Sequence, residues 1–377
     1  MSKPKIIYIV SSSGAAGGGM GRVKDYILAS GGDAGGRYRF EPLVTRDDRG
    51  AAFSVLLLLR AILTIWWNRL FGRVAFVHVN LGDKGSALRK GLVILGARLA
   101  FVPVVLHLHA AALIELHAGA SGLVKQAIRL PFLASNAVIV LGRLWRDWLV
   151  DALKINPDKI DVLYNGVPVE PTPRRFSNDP NALRKILFLG LLTERKGISD
   201  FLHALAAIPA EAPPWQAIIA GNGDIEGYTA KAHALGLAQR THFTGWVEQK
   251  GVRELLAEVD MMVLPSYHEG LPLVILEALG AGAPVICTPV GAIPEVLEHG
   301  RDVILIEPGD RAGLAHAMAG LLRDPAKLQD LSDHGIARFC ETFALDVFLL
   351  NLFAIYERRL GTSMRLATAE AAPKAAA

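Results

Sequence analysis

The sequence predicts an α/β protein built from two doubly wound, Rossmann-like domains that face a central cleft. Apolar runs of strand length alternate with helical segments in two successive series, and each series opens with a strand followed by a glycine-containing loop. Residues 168–180, rich in proline and polar side chains, separate the series and have the composition of a linker. With 377 residues, 51% of them hydrophobic and 20% charged, the chain can bury two cores.

We therefore predict an N-terminal domain over residues 1–170 and a C-terminal domain over residues 171–345. A helix at residues 346–360 is expected to pack back on the N-terminal domain, and the alanine-rich residues 361–377 are expected to be disordered. The two cysteines match no metal spacing, and the amino terminus lacks the apolar region and cleavage site of a signal peptide. These features predict a cytoplasmic protein.

The first series opens with a strand at residues 5–11, a polar, glycine-dense loop at residues 12–21 and a helix from residue 22. Glycine lets backbone N–H groups approach an anion closely, so Gly18 and Gly19 are candidate phosphate-binding residues. A flexible turn is an equally good interpretation of the local sequence.

Residues 51–71 are strongly apolar, but Arg60 interrupts them. A packed helix or a helix lying in a membrane interface is favoured over a membrane-spanning helix, which needs about 20 apolar residues. The next predicted helix carries Arg89, Lys90 and Arg98, and that face would suit lipid headgroups as well as water.

Charge is divided unevenly along the chain. Residues 1–170 hold 21 Lys/Arg and 12 Asp/Glu, net +9, whereas residues 171–377 have a net charge of −5. A basic front half predicts an anionic partner, and a membrane surface or a lipid diphosphate is preferred to nucleic acid. Ordinary solvated charge is the competing interpretation.

Residues 102–108 predict a buried strand ending in His107-Leu108-His109. Strand alternation places His107 and His109 on one face. Two histidines could ligate a metal, but no acidic or cysteine partner lies at metal spacing nearby, so a structural role or a role at the substrate is favoured.

The second series opens with a strand at residues 185–190, a loop that ends in Arg195-Lys196, and a helix from about Gly197. Lys196 could reach a phosphate from this loop as a mobile point charge. The next strand is followed by Gly221-Asn222-Gly223, which fits a dinucleotide fingerprint poorly because the third glycine is one residue late.

Residues 260–300 contain the most informative pattern: a short buried strand at Met261–Leu264, a loop, a helix that we expect to begin at Pro272, and another strand. Glu269 precedes the helix, and Glu277 lies inside it among apolar residues. A carboxylate there needs donors such as the hydroxyls of a ribose. The alternative is that Glu269 complements the helix dipole and Glu277 faces water.

The N–H groups at the start of this helix form a ready site for a diphosphate. These N–H groups lie around residues 271–274, and Gly270, Leu271, Pro272 and Leu273 are the predicted donor-binding residues of this segment. Glycine and proline around both glutamates favour the functional interpretation, in which the arrangement binds a sugar nucleotide.

Glu269-Gly-Leu-Pro-Leu-Val-Ile-Leu-Glu277 resembles the E-x7-E signature of the family 4 glycosyltransferases, and residues 281–285 resemble the Ala-x-Gly-x-Pro-Val segment that follows it. The resemblance implies a GT-B fold and transfer of a sugar with retention of configuration. It implies that the N-terminal glycine loop faces the donor and that His109 lies near the transferred sugar.

The resemblance also assigns Glu269 to the sugar and Lys196 to the phosphates. The family usually has Arg directly after the glycine that ends its first C-terminal strand, but Leu191 stands there in this chain, and Arg195 is its candidate substitute. The predicted catalytic residues are therefore His109, Glu269 and Lys196. The predicted donor-binding residues are Gly18, Gly19, Arg195, Lys196, Gly221, Gly270, Leu271, Pro272, Leu273 and Glu277.

No Asp-x-Asp occurs in the sequence, so neither a metal nor a cofactor is expected and a nucleotide-diphosphate sugar is the co-substrate. Charge on the leaving diphosphate would be stabilised by helix N–H groups and Lys196. The resemblance implies that the diphosphate itself accepts the acceptor's proton. The acceptor is expected to be lipid-linked or a saccharide precursor of an envelope polysaccharide, reached by a peripheral protein at the inner face of the cytoplasmic membrane.

Two other functions compete with this hexosyltransferase hypothesis. A nucleotide-sugar enzyme of another class, such as an epimerase, is disfavoured by the missing fingerprint and by the absence of Tyr-x-x-x-Lys. A non-catalytic, membrane-recruited subunit of a polysaccharide assembly system is weakly supported by Leu191.

Overall fold

The computed structural model describes residues 3–12, 18–33, 35–47, 49–82, 85–110 and 112–366. The chain forms two compact units. Met1–Gly166 and Leu345–Ala377 make unit 1, and Val167–Ala344 make unit 2. The chain passes from unit 1 to unit 2 after Gly166 and back to unit 1 after Ala344, close to the predicted domain boundaries at residues 170 and 345.

Unit 1 contains a six-stranded parallel sheet in the order β2-β1-β3-β4-β5-β6. Its strands are β1 (Lys5–Ser11), β2 (Tyr38–Val44), β3 (Val74–Leu81), β4 (Val104–Leu108), β5 (Ala137–Val140) and β6 (Ile160–Val162). Its helices before the crossing are α1 (Gly18–Ala29), α2 (Ala51–Leu70), α3 (Gly85–Leu99), α4 (Leu113–Ala118), α5 (Gly122–Ala134) and α6 (Arg143–Asp151), with a 3-10 turn at Pro157–Lys159.

The central strands of unit 1 are buried on both faces. Every residue of β4 and β5 is buried, as expected for parallel strands covered by helices on each side. The apolar runs therefore predicted these strands correctly. Strand β2 and helices α4 and α5 were not predicted.

Helix α2 is apolar on two sides. Leu57, Ala61 and Ile65 are buried at a spacing of about one turn and form the packed side. The opposite side exposes a continuous set of large apolar side chains, which we call the apolar face: Val55, Leu56, Leu59, Leu63, Trp66, Trp67, Leu70 and the adjoining Phe71. By length and composition residues 52–70 could cross a membrane.

Unit 2 contains a second six-stranded parallel sheet, in the order β9-β8-β7-β10-β11-β12. Its strands are β7 (Arg184–Leu189), β8 (Trp215–Ala220), β9 (Thr241–Gly245), β10 (Met261–Leu264), β11 (Val285–Cys287) and β12 (Ile304–Leu305). Its helices are α7 (Ile198–Ala206), α8 (Ile225–Ala234), α9 (Gln249–Glu258), α10 (Leu273–Gly280), α11 (Ile293–Val296), α12 (Arg311–Arg323) and α13 (Pro325–Arg338), with a 3-10 turn at Glu194–Lys196 and a π-helical turn at Phe339–Phe343.

Helix α14 (Leu345–Leu360) returns to unit 1. The hydroxyl of Tyr356 lies 2.7 Å from Nδ1 of His78 on β3, and both side chains are fully buried. Arg358 and Arg359 donate hydrogen bonds of 2.7–2.8 Å to the carboxylate of Asp161 on β6. These contacts attach the helix to the unit at two points.

The tail expected to be disordered from Gly361 onward begins with residues that pack on unit 1. The N–H of Arg365 donates a 2.9 Å hydrogen bond to Oδ1 of Asp33, and Nη2 of Arg37 donates to the carbonyl of Ser363 at 2.5 Å. Thr362 and Met364 are buried, so residues 361–366 are held by the turn around Asp33. The remainder of the predicted tail, residues 367–377, lies outside the described residues.

Both units are doubly wound α/β structures with a topological switch, so the predicted fold class is confirmed. In unit 1 the chain reverses its direction across the sheet between β1 and β3, and in unit 2 between β7 and β10. Ligands of such sheets bind beyond the carboxyl ends of the strands at the switch.

Candidate active site

In unit 2 the loops that follow β7 and β10 meet at the switch point. The N–H of Tyr267 donates to the carbonyl of Arg195 at 2.9 Å, and Nη1 of Arg195 donates to the carbonyl of His268 at 2.8 Å. Gly197 has φ +73°, and a Cβ there would lie 2.0 Å from the carbonyl oxygen of Pro265. Only glycine permits this approach, which fixes the Arg195-Lys196 segment against the β10 loop.

Lys196 and Glu269 are brought into direct contact by these loops. Nζ of Lys196 lies 2.5 Å from Oε1 of Glu269, and their side chains are only 14% and 8% exposed. Oγ of Ser266 donates a second hydrogen bond, of 2.8 Å, to the same oxygen. Oγ1 of Thr288, just beyond β11, holds the carbonyl of Ser266 at 2.5 Å. Two of the three predicted catalytic residues therefore form one ion pair.

Gly291 supports the backbone of the same loop. Its φ is +63°, and a Cβ there would lie 2.3 Å from the carbonyl oxygen of Glu269 and 2.4 Å from that of Gly270. The N–H of Ala292 donates to the Gly270 carbonyl at 2.9 Å. Sequence reasoning did not assign Gly291 or Ser266. Their signal was the Gly-Ala-Ile-Pro turn after β11 and the serine three residues before Glu269.

The start of α10 lies one residue later than predicted. Pro272 is the N-cap, in extended conformation with φ −72° and ψ 126°, and Leu273 is the first helical residue. Leu271 and Leu273 are buried, so these residues can offer a ligand backbone N–H groups and no polar side chain. The first turn of a helix leaves its N–H groups without intrahelical acceptors, which suits a diphosphate.

Glu277 is buried inside α10. It is 1% exposed, and its Oε1 accepts a 2.8 Å hydrogen bond from Nε2 of Gln249 at the start of α9. The water-facing alternative for Glu277 is therefore wrong. Gln249 was missed because nothing in its local sequence shows that α9 packs against α10.

Gly221, directly after β8, contacts the backbone at the ends of the two neighbouring strands, β7 and β9. It has φ +149°, and a Cβ would lie 1.8 Å from the carbonyl oxygen of Gly190. Its N–H donates to the carbonyl of Gly245 at 2.8 Å, and Leu192 N–H donates to the Asn222 carbonyl at 2.7 Å. This close approach accounts for glycine at position 221; its donor-binding role stays a prediction. Leu191 is 47% exposed, so nothing in the packing requires leucine there.

His109 of unit 1 lies directly after β4, and its ring is tilted by 38° from that of His107, with the centroids 4.1 Å apart. The predicted shared face of these two histidines is confirmed. Nε2 of His109 lies 3.0 Å from Oδ1 of Asn80, which also lies 3.3 Å from Nε2 of His78. Oδ1 of Asn80 therefore accepts a hydrogen bond from the Nε2–H group of each imidazole and so orients both rings.

The buried histidines are held neutral. Burial, the first cause, lowers the pKa of His109 to about 3 and that of His78 to about 4, and burial lowers the pKa of His107 well below its usual value. Electrostatic interaction with His78 and Lys90 further disfavours protonation of His109 and so also lowers its pKa. A neutral His109 can hydrogen-bond a sugar hydroxyl but carries no charge at neutral pH.

The glycine loop of unit 1 is described only at its end. Gly18 and Gly19 lie in the first turn of α1, which begins earlier than predicted, and residues 13–17 of the predicted loop lie outside the described residues. Among the residues that the structure describes, no three His, Cys, Asp or Glu side chains are grouped as a metal site would require.

The predicted basic face of α3 needs a correction. Lys90 is fully buried and faces Met20 of α1, with Nζ 3.5 Å from its sulfur. Arg98 is exposed and donates to the side chain of Asn136 at 3.1 Å, whereas Arg89 is half-buried. The side chains of Arg89, Lys90 and Arg98 therefore do not share one face of α3, because successive residues are rotated by about 100° around a helix axis.

Residues 184–324, which include the ion pair and Glu277, match the family model described as glycosyl transferases group 1. Unit 2 is a group 1 glycosyl transferase domain. The resemblance read from the E-x7-E signature is therefore confirmed, with Lys196, Glu269 and Glu277 all inside the matched residues.

The glycosyl transferase domain has relatives of several specificities. The glycogen synthase of Mycobacterium tuberculosis (strain ATCC 25618 / H37Rv) is 28% identical over 216 residues, which cover 57% of this chain and 50% of that protein. The phosphatidyl-myo-inositol mannosyltransferase of Mycobacterium leprae (strain TN) is 32% identical over 190 residues, covering 49% of this chain and 50% of that protein. The chain spans about half the length of the curated relatives it matches.

The likeness in structure extends beyond the glycosyl transferase domain. Anabaena Alr3699/HepE in complex with UDP-glucose has a TM-score of 0.70 at 18% identity, over 94% of this chain and 98% of that chain. At this identity the likeness shows the fold, and the predicted GT-B fold is confirmed.

Proposed function

We propose that the chain is a glycosyltransferase that moves a sugar from a nucleotide-diphosphate sugar to an acceptor with retention of configuration and without a metal. The observation that carries the proposal is the Lys196–Glu269 pair at the switch point of a group 1 glycosyl transferase domain, eight residues before the buried Glu277. A cation, a carboxylate and a helix start are the groups that such a donor needs.

Each part of the donor has a partner in this proposal. Glu277, positioned by Gln249, accepts hydrogen bonds from the ribose hydroxyls. The diphosphate lies at the start of α10, where backbone N–H groups and Lys196 stabilise its charge. Glu269 binds the sugar. Glu269 also neutralises Lys196, and in this proposal the phosphates of the donor share that cation with Glu269.

The reaction then needs no side-chain base. The bond between the anomeric carbon and the diphosphate oxygen breaks, the acceptor hydroxyl oxygen bonds to that carbon on the same face, and its proton passes to the departing diphosphate. Backbone N–H groups and the Lys196 cation act where negative charge develops, which in enzymes supplies about 3–4 kcal/mol for each donor. His109, neutral and oriented by Asn80, is proposed to bind a hydroxyl of the sugar.

We further propose that unit 1 docks on an anionic membrane and that the acceptor is lipid-linked, with a soluble saccharide as the alternative. The apolar face of α2 supports this, because soluble proteins seldom expose a contiguous apolar surface of that size without a partner. Helices α2, α3 and α5 pack side by side, and α3 and α5 add exposed Leu88, Leu92, Leu99, Leu123, Val124 and Leu130.

Cations accompany this surface. Arg60 and Arg69 are exposed on α2, Arg98 is exposed on α3, and the guanidinium of Arg73 lies 5.1 Å from the ring of Phe71. Apolar side chains flanked by arginine are typical of helices that lie in a lipid interface. The packed side of α2 favours such a helix over a spanning one. The mannosyltransferase relative from M. leprae, named for phosphatidyl-myo-inositol, is consistent with a lipid acceptor.

The test is a donor screen with turnover measured beside binding. Purified chain is mixed with UDP-, GDP- and ADP-sugars, its melting temperature is recorded, and transfer of radiolabelled sugar to lipid and saccharide acceptors is followed. Stabilisation by one class of donor together with transfer supports the proposal. Binding without turnover on any acceptor would favour the non-catalytic subunit, and isomerisation of the free donor would favour the epimerase class.

A further inference from the structure

Lys90 is a buried cation that the proposed reaction does not use. Its side chain is fully buried in α3, and its only polar contact among the described residues is the thioether sulfur of Met20, 3.5 Å from Nζ. No carboxylate in the described part of the chain pairs with it, and its near charged neighbour, Arg89, has the same sign. Burial, with a smaller effect of Arg89, lowers the pKa of Lys90 to about 7.

Lys90 lies at the switch point of the unit 1 sheet. Met20, which it contacts, belongs to the helix after β1, and the Met20 sulfur lies 3.5 Å from the position a Cβ would take on Gly82, directly after β3. The charge of Lys90 also acts on His109, after β4, so the ammonium group is close to that imidazole. Carboxyl ends of strands at a switch point are where doubly wound sheets bind ligands.

Unused hydrogen-bond donors surround the same strand ends. Asn80, on β3, is fully buried, and its Nδ2 has no partner among the described residues even though its Oδ1 receives both His78 and His109. Both ring nitrogens of His107 are likewise buried without a partner there. Burying a hydrogen-bond donor or a cation without an acceptor raises the free energy of the folded state unless a bound ligand supplies the acceptor.

We propose that Lys90 and Asn80 form a subsite, beside His109, for a phosphate-type oxyanion carried by the acceptor. The inference rests on the proposed function, because it names the chemistry of that acceptor. Nδ2 of Asn80 and the ammonium of Lys90 both lack an acceptor among the described residues. A cation beside an amide donor is the complement of a phosphate and not of a neutral saccharide.

With the start of α10 and Lys196 of unit 2 assigned to the donor's diphosphate, we assign the oxyanion of unit 1 to the second substrate. If Lys90 instead joined Gly18 and Gly19 at the donor, its loss would lower nucleoside diphosphate affinity. A lipid phosphate and a soluble sugar phosphate present the same group. The experiment therefore includes one arm for each source.

The variant is Lys90→Met, which keeps the apolar stem and removes the ammonium. The matched control is Lys125→Met, the same change on α5 of the same unit. Binding of inorganic phosphate and glycerol 3-phosphate is measured by calorimetry on the full chain, binding to vesicles is compared for phosphatidic acid against phosphatidylcholine, and nucleoside diphosphate affinity is measured in parallel.

We expect the wild-type chain and the control to bind phosphate and the Lys90 variant to bind it at least about tenfold more weakly, as for loss of a charged hydrogen bond. Nucleoside diphosphate affinity should be equal in all three proteins. The variant without ligand should melt at the same or a higher temperature, because an unpaired buried cation has been removed. Weaker binding of glycerol 3-phosphate and phosphate with an unchanged preference for phosphatidic acid assigns a soluble acceptor, and loss of the preference for phosphatidic acid assigns a lipid one.

Three results would overturn the inference: phosphate binding unchanged by Lys90→Met, a fall in nucleoside diphosphate affinity, or a lower melting temperature of the variant without ligand, which would show that the ammonium of Lys90 stabilises the fold. Failure of the proposed function is recognised separately, as absence of sugar transfer by the wild-type chain from every donor.

Discussion

Nζ of Lys196 lies 2.5 Å from Oε1 of Glu269, so the cation assigned to the donor's phosphates is neutralised by the carboxylate assigned to its sugar. The two groups are largely shielded from water, where charges interact more strongly than at a surface. Removing one of them therefore changes the charge presented by the other.

Glu269→Ala and Lys196→Met should have opposite effects on binding of a bare nucleoside diphosphate. The first change releases Lys196 for the phosphates, so affinity should be unchanged or higher while turnover falls about 100-fold or more. The second change should weaken binding by about 1.5–3 kcal/mol and also lower turnover. Calorimetry and initial rates measure both quantities. An equal loss of diphosphate affinity in the two variants would mean that the sugar and phosphate roles are wrongly divided.

Glu277→Ala should weaken nucleotide binding by about 1–3 kcal/mol, because the ribose hydroxyls lose a charged acceptor. Gln249→Leu removes the 2.8 Å hydrogen bond that orients Glu277 and should cost less, about 1 kcal/mol. Glu258→Ala, an exposed glutamate at the end of α9, is the matched control and should change nothing. The ribose assignment is abandoned if folded Glu277→Ala keeps the wild-type dissociation constant.

Acid should destabilise unit 1 through its buried histidines. The folded-state pKa values of His78 and His109, about 4 and about 3, lie below the usual value near 6.5, so the unfolded chain binds more protons between those limits. Stability is then fully present above pH 6.5 and decreases as the pH falls toward 4. His107→Leu removes one such group and should reduce this slope by about 1.4 kcal/mol per pH unit.

Hydrogen-exchange protection of the β3 and β4 amides, corrected for intrinsic exchange, measures this slope. His233→Leu, a change at an exposed position of unit 2, is the control and should leave the protection of β3 and β4 as in the wild type. A slope in His107→Leu identical to that of the wild type would show that His107 does not contribute to the acid sensitivity.

Binding to anionic vesicles should depend on the apolar face of α2. Changing Leu59, Leu63 and Trp67 together to Gln should weaken binding by roughly 1 kcal/mol or more for each side chain and leave nucleotide affinity unchanged. Leu183→Gln and Leu350→Gln, exposed positions outside α2, are the matched controls. Flotation of vesicles with bound protein is the measurement.

The cationic part of the same interaction is tested with Arg60→Gln and Arg98→Gln, each expected to cost about 1 kcal/mol at low salt and little at high salt. Lys90 is left out of this set because it is buried. If the wild-type chain stays free of anionic vesicles at low salt, the lipid-linked acceptor is rejected and a soluble acceptor takes its place.

Sequence predicted the parallel strands and the E-x7-E helix because their signals are local. Continuous apolar runs such as Met261–Leu264 arise only where helices cover both faces of a strand. Helix α5 escaped prediction because Pro131 lies within it and several of its apolar side chains are exposed, which hides the usual periodicity. The side-chain contacts within the candidate site could not be predicted from the sequence either.

Those contacts join loops that are far apart in sequence. Gln249 reaches Glu277, and Gly291 supports Glu269, only because strand order places their elements side by side. Lys90 was assigned with Arg89 and Arg98 to a basic face because charged side chains are rarely fully buried. Its burial depends on contact with Met20, which lies 70 residues earlier.

Because helix α14 belongs to unit 1 but is translated after unit 2, it determines the order in which the two units can finish folding during synthesis. The ribosome makes most of unit 1 first, yet His78 and Asp161 receive Tyr356, Arg358 and Arg359 only after all of unit 2 has emerged. Unit 2 is continuous and can close as soon as Ala344 is available, since domains generally fold as units. The first part translated is thus the last to be finished, and a nascent chain that stalls before Leu345 carries a complete glycosyl transferase domain beside an uncapped sheet.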